Sequence, residues 1–339
     1  MYLPVTGLFA ALVWGVKDIS TRAKHPRLIS GALAAVALVT CGGVTWSQVQ
    51  YWRDSVSLWG HCAAENPESA VALRLYADAL SDANEPARAM DRYAAALRLD
   101  PSDAESYAKL GGIRLKSGDF EGAAADLENA IRLRPPRAID YVTLGGAYAG
   151  AGKSDAAKEC FQTAVTIDSS CAAAHYCLGV EYLKGGNFGG AVTSLEKAVE
   201  LDSSNAAAHA YLAGAYSSLG QPAPAIKEYR AALALDPKLS DAENNLAWIL
   251  ATSRGAGLRD GTEAVKLARS ACEQTSWNQT IMVGTLAAAY AEAGDFEKAV
   301  QISQKACDLA SQRGETNLLQ HNQVLLDRYK RHQPAREGD

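Results

Sequence analysis

The sequence is short of the groups from which most active sites are built. Its six histidines, at 25, 61, 175, 209, 321 and 332, show no HExxH or equivalent spacing, so the helical zinc-hydrolase signature is missing. None of the seven cysteines (41, 62, 160, 171, 177, 272 and 307) belongs to a CxxC pair, which removes the common zinc and thioredoxin patterns. Within helices they read as small apolar fillers, and a disulfide requires an oxidising compartment. The pairs Gly145-Gly146, Gly185-Gly186 and Gly189-Gly190 have no following Lys-Ser/Thr and do not read as phosphate loops. Basic residues are not in surplus: 33 Lys and Arg stand against 38 Asp and Glu, for a net charge of −5. That balance excludes the electrostatic footprint of a nucleic-acid binder. Aromatics reach only 7%, and the abundant Ala and Gly suit close helix stacking instead. No catalytic residue, cofactor or metal site is expected.

What is present is a period. Ala104–Arg137 reads as two short amphipathic helices. The first carries Tyr107, Leu110, Gly111 and Ile113; Gly118-Asp119 breaks the pattern; the second carries Phe120, Ala123, Leu127, Ala130, Ile131 and Leu133. Pro135-Pro136 stops it, because proline cannot donate to a helix. Gly111 and Ala123 are expected where two antiparallel helices approach closely. A shift of 34 residues reproduces the pattern: Tyr141, Leu144-Gly145, Tyr148, Gly152, Ala157, Phe161, Ala164; then His175, Leu178-Gly179, Tyr182, Gly186, Ala191, Leu195, Ala198; then His209, Leu212-Ala213, Tyr216, Gly220, Ala225, Tyr229, Ala232. Backwards, Leu73, Tyr76-Ala77, Leu80, Ala89, Tyr93 and Ala96 fit the same frame. His175 and His209 occupy the place of Tyr107 and Tyr141, and so read as packing residues.

This period and residue pattern resemble the tetratricopeptide repeat (TPR), a helix–turn–helix unit. The resemblance implies an all-α TPR solenoid of about seven repeats, over 70–103, 104–137, 138–171, 172–205, 206–239, 240–279 and 280–313. The sixth unit is stretched, because SRGAGLRDG (Ser253–Gly261) lengthens its internal turn. Residues 314–332 then form an amphipathic capping helix with one polar face, as a solenoid end needs. The tail, 333–339, is polar and expected to fray.

The amino terminus is different. Met1–Val16 has no charge, Lys17–Arg27 has four Lys/Arg against one Asp, and Leu28–Trp52 has 25 residues without charge. The length of the second apolar stretch and the aromatics Trp46, Tyr51 and Trp52 at its end predict a transmembrane helical hairpin over 1–52, with spans at about 3–16 and 28–50. Its basic connector would stay cytoplasmic, placing the repeats in the periplasm, lumen or exterior. A cleaved signal peptide, a lipoprotein box at Leu38-Val39-Thr40-Cys41, and a pair of buried helices are the other readings. Residues 53–69 match the second helix of a repeat and join the hairpin to the solenoid.

YLPVTGLFAALVWGV with its basic connector, followed by YWRDSVSLW (Tyr51–Trp59), is similar to the end of the membrane domain in TPR-containing proteins related to protein O-mannosyltransferases, of the GT-C type. The unit NNLAWILATS…LRDGTEAVKLA (Asn244–Ala268) resembles repeats of the same kind. In such enzymes the acidic catalytic residues lie early in a many-span domain, and none carries over to this chain.

The remaining candidate for function is the concave face, lined by the first helix of each repeat. Its expected binding residues are Arg74, Asp78, Lys116, Tyr176, Lys184, Asn244 and Trp248. Neither a Lys/Asn/Asn/Lys/Arg carboxylate clamp nor an asparagine ladder is present on these helices. The expected function is a membrane-anchored scaffold that binds a protein or an extended peptide. The alternative is the carboxy-terminal recognition arm of a membrane O-glycosyltransferase.

Overall fold

A computed structural model describes residues 26–337. Helices α1 (Pro26–Tyr51) and α2 (Ser55–Glu65) come first. Next come the pair α3 (Ala70–Asp82) with α4 (Pro86–Leu99), then α5 (Ala104–Ser117) and α6 (Phe120–Leu133), then the pairs α7 (Ala138–Gly150) with α8 (Ser154–Ile167) and α9 (Ala172–Lys184) with α10 (Phe188–Leu201). Then come α11 (Ala206–Ser218) with α12 (Pro222–Leu235), α13 (Ser240–Thr252) with α14 (Gly261–Gln274), and α15 (Thr280–Glu292) with α16 (Phe296–Arg313). Helix α17 (Thr316–Lys330) is last, and a short 3-10 turn, Ala256–Leu258, precedes α14. There is no strand among the described residues. The described residues divide into two compact units that meet between Ile113 and Arg114 in sequence.

The transmembrane hairpin is corrected. No helix among the described residues is long and apolar enough to cross a membrane. The physical reason lies in α1 itself: its run without a polar side chain is only Gly31–Val39. Ser30 and Thr40 bound that run, and Gly42, Gly43, Thr45, Ser47, Gln48 and Gln50 dilute the remainder of the helix. A span needs about 20 predominantly apolar residues. The expected first span, 3–16, lies outside the described residues. At the end of α1, Tyr51 stacks on His61 of α2, with ring centroids 3.8 Å apart. Asp54 caps α2 by accepting from the Ser57 N–H at 2.7 Å.

The helix pairs arise from a few recurring positions. Gly118, Gly152, Gly186 and Gly220, spaced by 34, all have positive φ (68–85°) in the turn inside a pair. Glycine takes this left-handed conformation without a Cβ clash. The preceding member of the series is Asn84, with φ 60°, and Asn is among the few other residues at home there. After the turn, Asp119 and Asn187 cap α6 and α10 by accepting from the N–H of Gly122 and Gly190, each at 3.0 Å. Between pairs, Asp100, Asp168, Asp202 and Asp236 each accept from the backbone N–H two residues on, the side-chain turn that Asp favours. Serine hydroxyl and N–H donors hold the Asp100, Asp168 and Asp202 carboxyls below the usual carboxylate range. Position 134 breaks this series with an arginine. Arg134 and Arg137 instead both bind the buried Asp140, at 2.7 and 3.1 Å.

Packing repeats in the same way. Ala89, Ala123, Ala157, Ala191 and Ala225 are all fully buried, as are the larger side chains four residues later: Tyr93, Leu127, Phe161, Leu195 and Tyr229. Opposite Phe161 and Leu195 the first helix carries glycine: a Cβ on Gly145 would lie 2.5 Å from Phe161, and one on Gly179 2.5 Å from Leu195; opposite Tyr93 and Tyr229 the same position is the buried Ala77 and Ala213. In the second unit, tyrosines also tie α7, α9 and α11 to the helix before. Tyr148 donates to Glu128 and Tyr216 to Glu196, while Gln162 donates to Tyr182 at 3.0 Å. The bond to Glu128 pushes the Tyr148 phenol up to about 12, and burial does the same for Tyr216. Both therefore remain donors at neutral pH.

One buried carboxylate makes stability pH-dependent. Asp126 accepts from Arg114 Nη1 at 2.8 Å. Burial nevertheless outweighs the guanidinium and raises its pKa from the ordinary 3.8 to about 6. A folded pKa above the unfolded one gives stability that is complete below about pH 4 and lost as the pH rises through about 6. Asp126→Asn should therefore raise the melting temperature at pH 7.5, by the equivalent of about 1 kcal/mol. At pH 5 the gain should shrink. A gain that is the same at both pH values would show that Asp126 is not the titrating group.

The stretched pair is where the carboxy terminus returns. Residues 333–337, expected to fray, fold back instead. Glu337 N donates to Thr252 O at 2.9 Å, Arg254 Nε donates to Glu337 O at 3.0 Å, and Ala335 is buried. Ala335 joins a large buried cluster that reaches from Ala213 through α12–α17.

Candidate functional site

In the second unit, the first helices of successive pairs share one face, and two adjoining cavities lie along it. The larger, about 850 Å³, is lined from α9 (Leu183), α11 (Ala207, Ala210, Tyr211, Gly214), α13 (Asp241, Asn244, Asn245) and α15 (Ile281, Met282), with Lys238, Thr275 and Gln279 at its edge. The smaller, about 290 Å³, is lined from α13 (Asn244, Asn245, Trp248), α15 (Ile281, Gly284, Thr285) and α17 (Leu318, His321, Asn322, Leu325). Asn244, Asn245 and Ile281 belong to both, so the two spaces form one groove. Small residues on α11 give it depth, because Ala207, Ala210 and Gly214 leave room above the helix backbone; Gly284 on α15 instead admits the Asn322 side chain.

The electrostatics of the groove are mild. Lys238 and Asp241 are its only charged lining residues. Tyr211 is 44% exposed in the groove and packs edge-on against Tyr176, with centroids 5.9 Å apart. Burial pushes the Tyr176 phenol up to about 12. Trp248 faces His321 across the smaller cavity at 6.3 Å. Asn244 is 6% exposed. Its Nδ2 donates to Asn245 Oδ1 at 3.2 Å, but its Oδ1 is buried without a hydrogen-bond partner. A buried amide oxygen left unpaired costs about 1–3 kcal/mol.

The seven residues singled out in the sequence have different fates. Asn244 and Trp248 line the groove, and Tyr176 supports its wall through Tyr211. Lys184, on α9, is held by the buried Glu181 at 2.6 Å. Lys116 is exposed on α5. Arg74 and Asp78 belong to the first unit and are spent on packing contacts. Arg74 pairs with Asp78 at 3.6 Å and Asp103 at 3.3 Å, while Asp78 accepts from the buried Tyr93 hydroxyl. Tyr211, Asn245, Ile281 and the α17 residues are additions that the sequence reading missed. For α17 a signal exists, as Leu318, His321, Asn322 and Leu325 follow i, i+3, i+4, i+7 spacing. A cap that merely covers the last repeat carries the same stripe. Among the described residues, no group of three or more metal-ligating side chains comes together.

Two family models, both described as tetratricopeptide repeat, match the chain: one over residues 74–138 and 178–240, the other over 141–171 and 283–313. Together they cover more than half of it and leave out the stretched pair α13–α14. No curated protein sequence matches. Among solved structures, the chain is similar to the carboxy-terminal part of a TPR repeat-containing protein from Cytophaga hutchinsonii, at 18% identity and a TM-score of 0.54, covering 69% of this chain and 94% of that one. It is also similar to the APC/C hetero-tetramer Cut9-Hcn1, at 18% identity and a TM-score of 0.57, covering 68% of this chain and 45% of that one. A third is YrrB, described as a TPR protein with an unusual peptide-binding site, at 23% identity and a TM-score of 0.47, covering 54% and 95%. Identities this low speak for the fold alone. With the helix pairs, the turn glycines and the family matches in agreement, the chain belongs to the tetratricopeptide-repeat family.

Proposed function

We propose that this chain is a non-catalytic scaffold that binds an extended segment of a partner polypeptide along the face lined by α9, α11, α13 and α15. The observation that carries this reading is the continuity of the two cavities through Asn244, Asn245 and Ile281. A long, open groove suits a chain better than a compact small molecule, which takes a single concave pocket. The nearly uncharged lining fits recognition by shape and main-chain hydrogen bonds, with Asn and Gln side chains as partners for a peptide backbone. Solenoid repeats supply such extended surfaces as a consequence of stacking.

The test is to pan a random dodecapeptide library on the full chain and measure the affinities of the enriched peptides by fluorescence anisotropy. Tyr211→Glu places a charge in the groove and should weaken binding about tenfold or more, since central aromatics carry most of the energy of such contacts. Lys197→Glu, on the second helix α10, should leave binding unchanged. Enriched peptides that bind equally well to the Tyr211→Glu chain would sink the groove reading.

A further inference from the structure

We propose that the ends of α13 and α15, with the inserted turn before α14, form a second peptide site that recognises a small residue followed by arginine. Residues 334–337 of the tail fill it as a self-ligand, which a partner segment of the same pattern displaces. The site is separate from the groove and does not rest on the groove reading. The first observation is that the tail is held as a bound peptide is. Glu337 N donates to Thr252 O at 2.9 Å, and Arg254 Nε donates to Glu337 O at 3.0 Å. Such main-chain bonds hold a backbone whatever side chains it carries, and pockets beside them give specificity. Ala335 is 2% exposed and belongs to the buried cluster, so a larger residue there would overpack. Arg336 Nη1 donates to Glu292 Oε2 at 2.7 Å and lies 3.5 Å from Ala251 O. A guanidinium, with its several fixed donors, suits that pair of acceptors better than an ammonium.

The second observation is that the walls are fixed by contacts of their own. Arg259 Nε donates to Glu292 Oε1 at 2.8 Å, while its Nη1 donates to Ser253 O at 2.9 Å and Arg254 O at 3.1 Å. Asp260 N donates to Leu250 O at 3.0 Å. Leu246 and Leu250 of α13 and Leu286 of α15 belong to one buried cluster. A site ordered in this way loses little freedom when it binds. The third observation is that the occupant is small. Of residues 331–337, only Pro334, Ala335 and Arg336 are withdrawn from solvent. An open cavity of about 520 Å³ shares Arg259 with the slot, and Ile226, Arg230, Leu250 and Leu258 line it, but no tail residue does. A partner segment that extends into this space gains contacts the tail lacks, which favours displacement.

The experiment supplies the tail sequence in trans to the full chain. The probe is a fluorescein-labelled peptide of residues 331–339, RHQPAREGD, followed by fluorescence anisotropy. Arg336→Ala and Ala335→Asp each loosen the tail in cis and leave the walls of the slot in place. Both chains should bind the peptide at least tenfold more tightly than the wild-type chain, in which the tethered tail competes at an effective concentration of about 1 mM. Peptides carrying Arg336→Ala or Ala335→Phe should bind at least tenfold more weakly. Adding Glu292→Gln or Arg254→Ala to the Arg336→Ala chain should weaken binding of the parent peptide as well. Dodecapeptides enriched on the Arg336→Ala chain, and lost when Glu292→Gln is added, should share Gly, Ala or Ser followed by Arg. A probe that binds the wild-type and loosened chains equally sits elsewhere and overturns the proposal. So does the absence of binding to both loosened chains at about 1 mM, the concentration the tether itself supplies. Enriched peptides that require Glu292 but share no such pair overturn the stated sequence preference.

Discussion

Gly261→Ala is expected to destabilise the second unit by about 3 kcal/mol, although helix propensity alone predicts the opposite. Gly261 opens α14, where alanine would gain up to about 1 kcal/mol over glycine. Its φ is not in the left-handed region, so the backbone would accept alanine. The obstacle is outside the helix. A Cβ on Gly261 would lie 2.5 Å from Ala293 N, 2.7 Å from Ala293 Cα and 2.8 Å from Glu292 C. These are backbone atoms at the end of α15 and cannot rotate away, so α14 would have to shift as a body against α15. Gly145→Ala, which meets the Phe161 ring at 2.5 Å, should cost less, because a side chain has torsions to yield. Gly112→Ala provides the control. No atom lies within 4 Å of its would-be Cβ, and it should stabilise α5 by about 0.5–1 kcal/mol. Urea unfolding of the full chain, monitored by circular dichroism, gives all three. A Gly261→Ala midpoint at or above the wild-type value would mean that α14 does not sit so close to α15.

The contrast between these glycines marks how far the sequence can be read. Gly145 and Gly179 announce themselves through the 34-residue frame, each one turn from a large residue on the partner helix. Gly261 opens α14 where the other second helices open with Pro86, Phe120, Ser154, Phe188, Pro222 and Phe296, so the frame aligns its position but no repeated glycine points to it. The same distinction holds across the fold. The buried alanines, the turn glycines and Asn84 recur because every repeat solves the same packing problem. The membrane hairpin rests on the absence of charge, and absence of charge does not distinguish a span from a helix rich in Gly, Ser, Thr and Gln such as α1. In the groove, Asn244 and Trp248 follow from the helical frame. The missing partner of Asn244 Oδ1 and the pocket wall on α17 depend on tertiary placement. Arg74 and Asp78 enter the expected site through their helical positions, but their charge is used up within their own unit.

The carboxy-terminal strap is the least legible element, and its removal is expected to have the second-largest effect. Glu292, at the end of α15, is 14% exposed and accepts from Arg259 Nε at 2.8 Å and Arg336 Nη1 at 2.7 Å. Arg259 comes from the inserted turn and also donates to Ser253 O at 2.9 Å; Arg336 comes from the tail, 44 residues beyond Glu292. One carboxylate therefore pins the long turn and the tail to the same helix end. Glu292→Ala would leave two arginines facing each other's charge in a partly buried place. Breaking a buried pair costs about 3–5 kcal/mol. Arg336 is 29% exposed and Arg259 17%, and solvent screening reduces the figure to about 2 kcal/mol. The informative readout is local. Hydrogen exchange at the Glu337 amide, which donates to Thr252 O, should accelerate sharply in Glu292→Ala while α9 and α10 keep their protection, as contiguous units open separately. Glu292→Gln keeps the acceptor oxygen and loses the charge, so it should fall between the two. Unchanged exchange at Glu337 in Glu292→Ala would show that Ala335 burial, rather than the paired arginines, holds the tail.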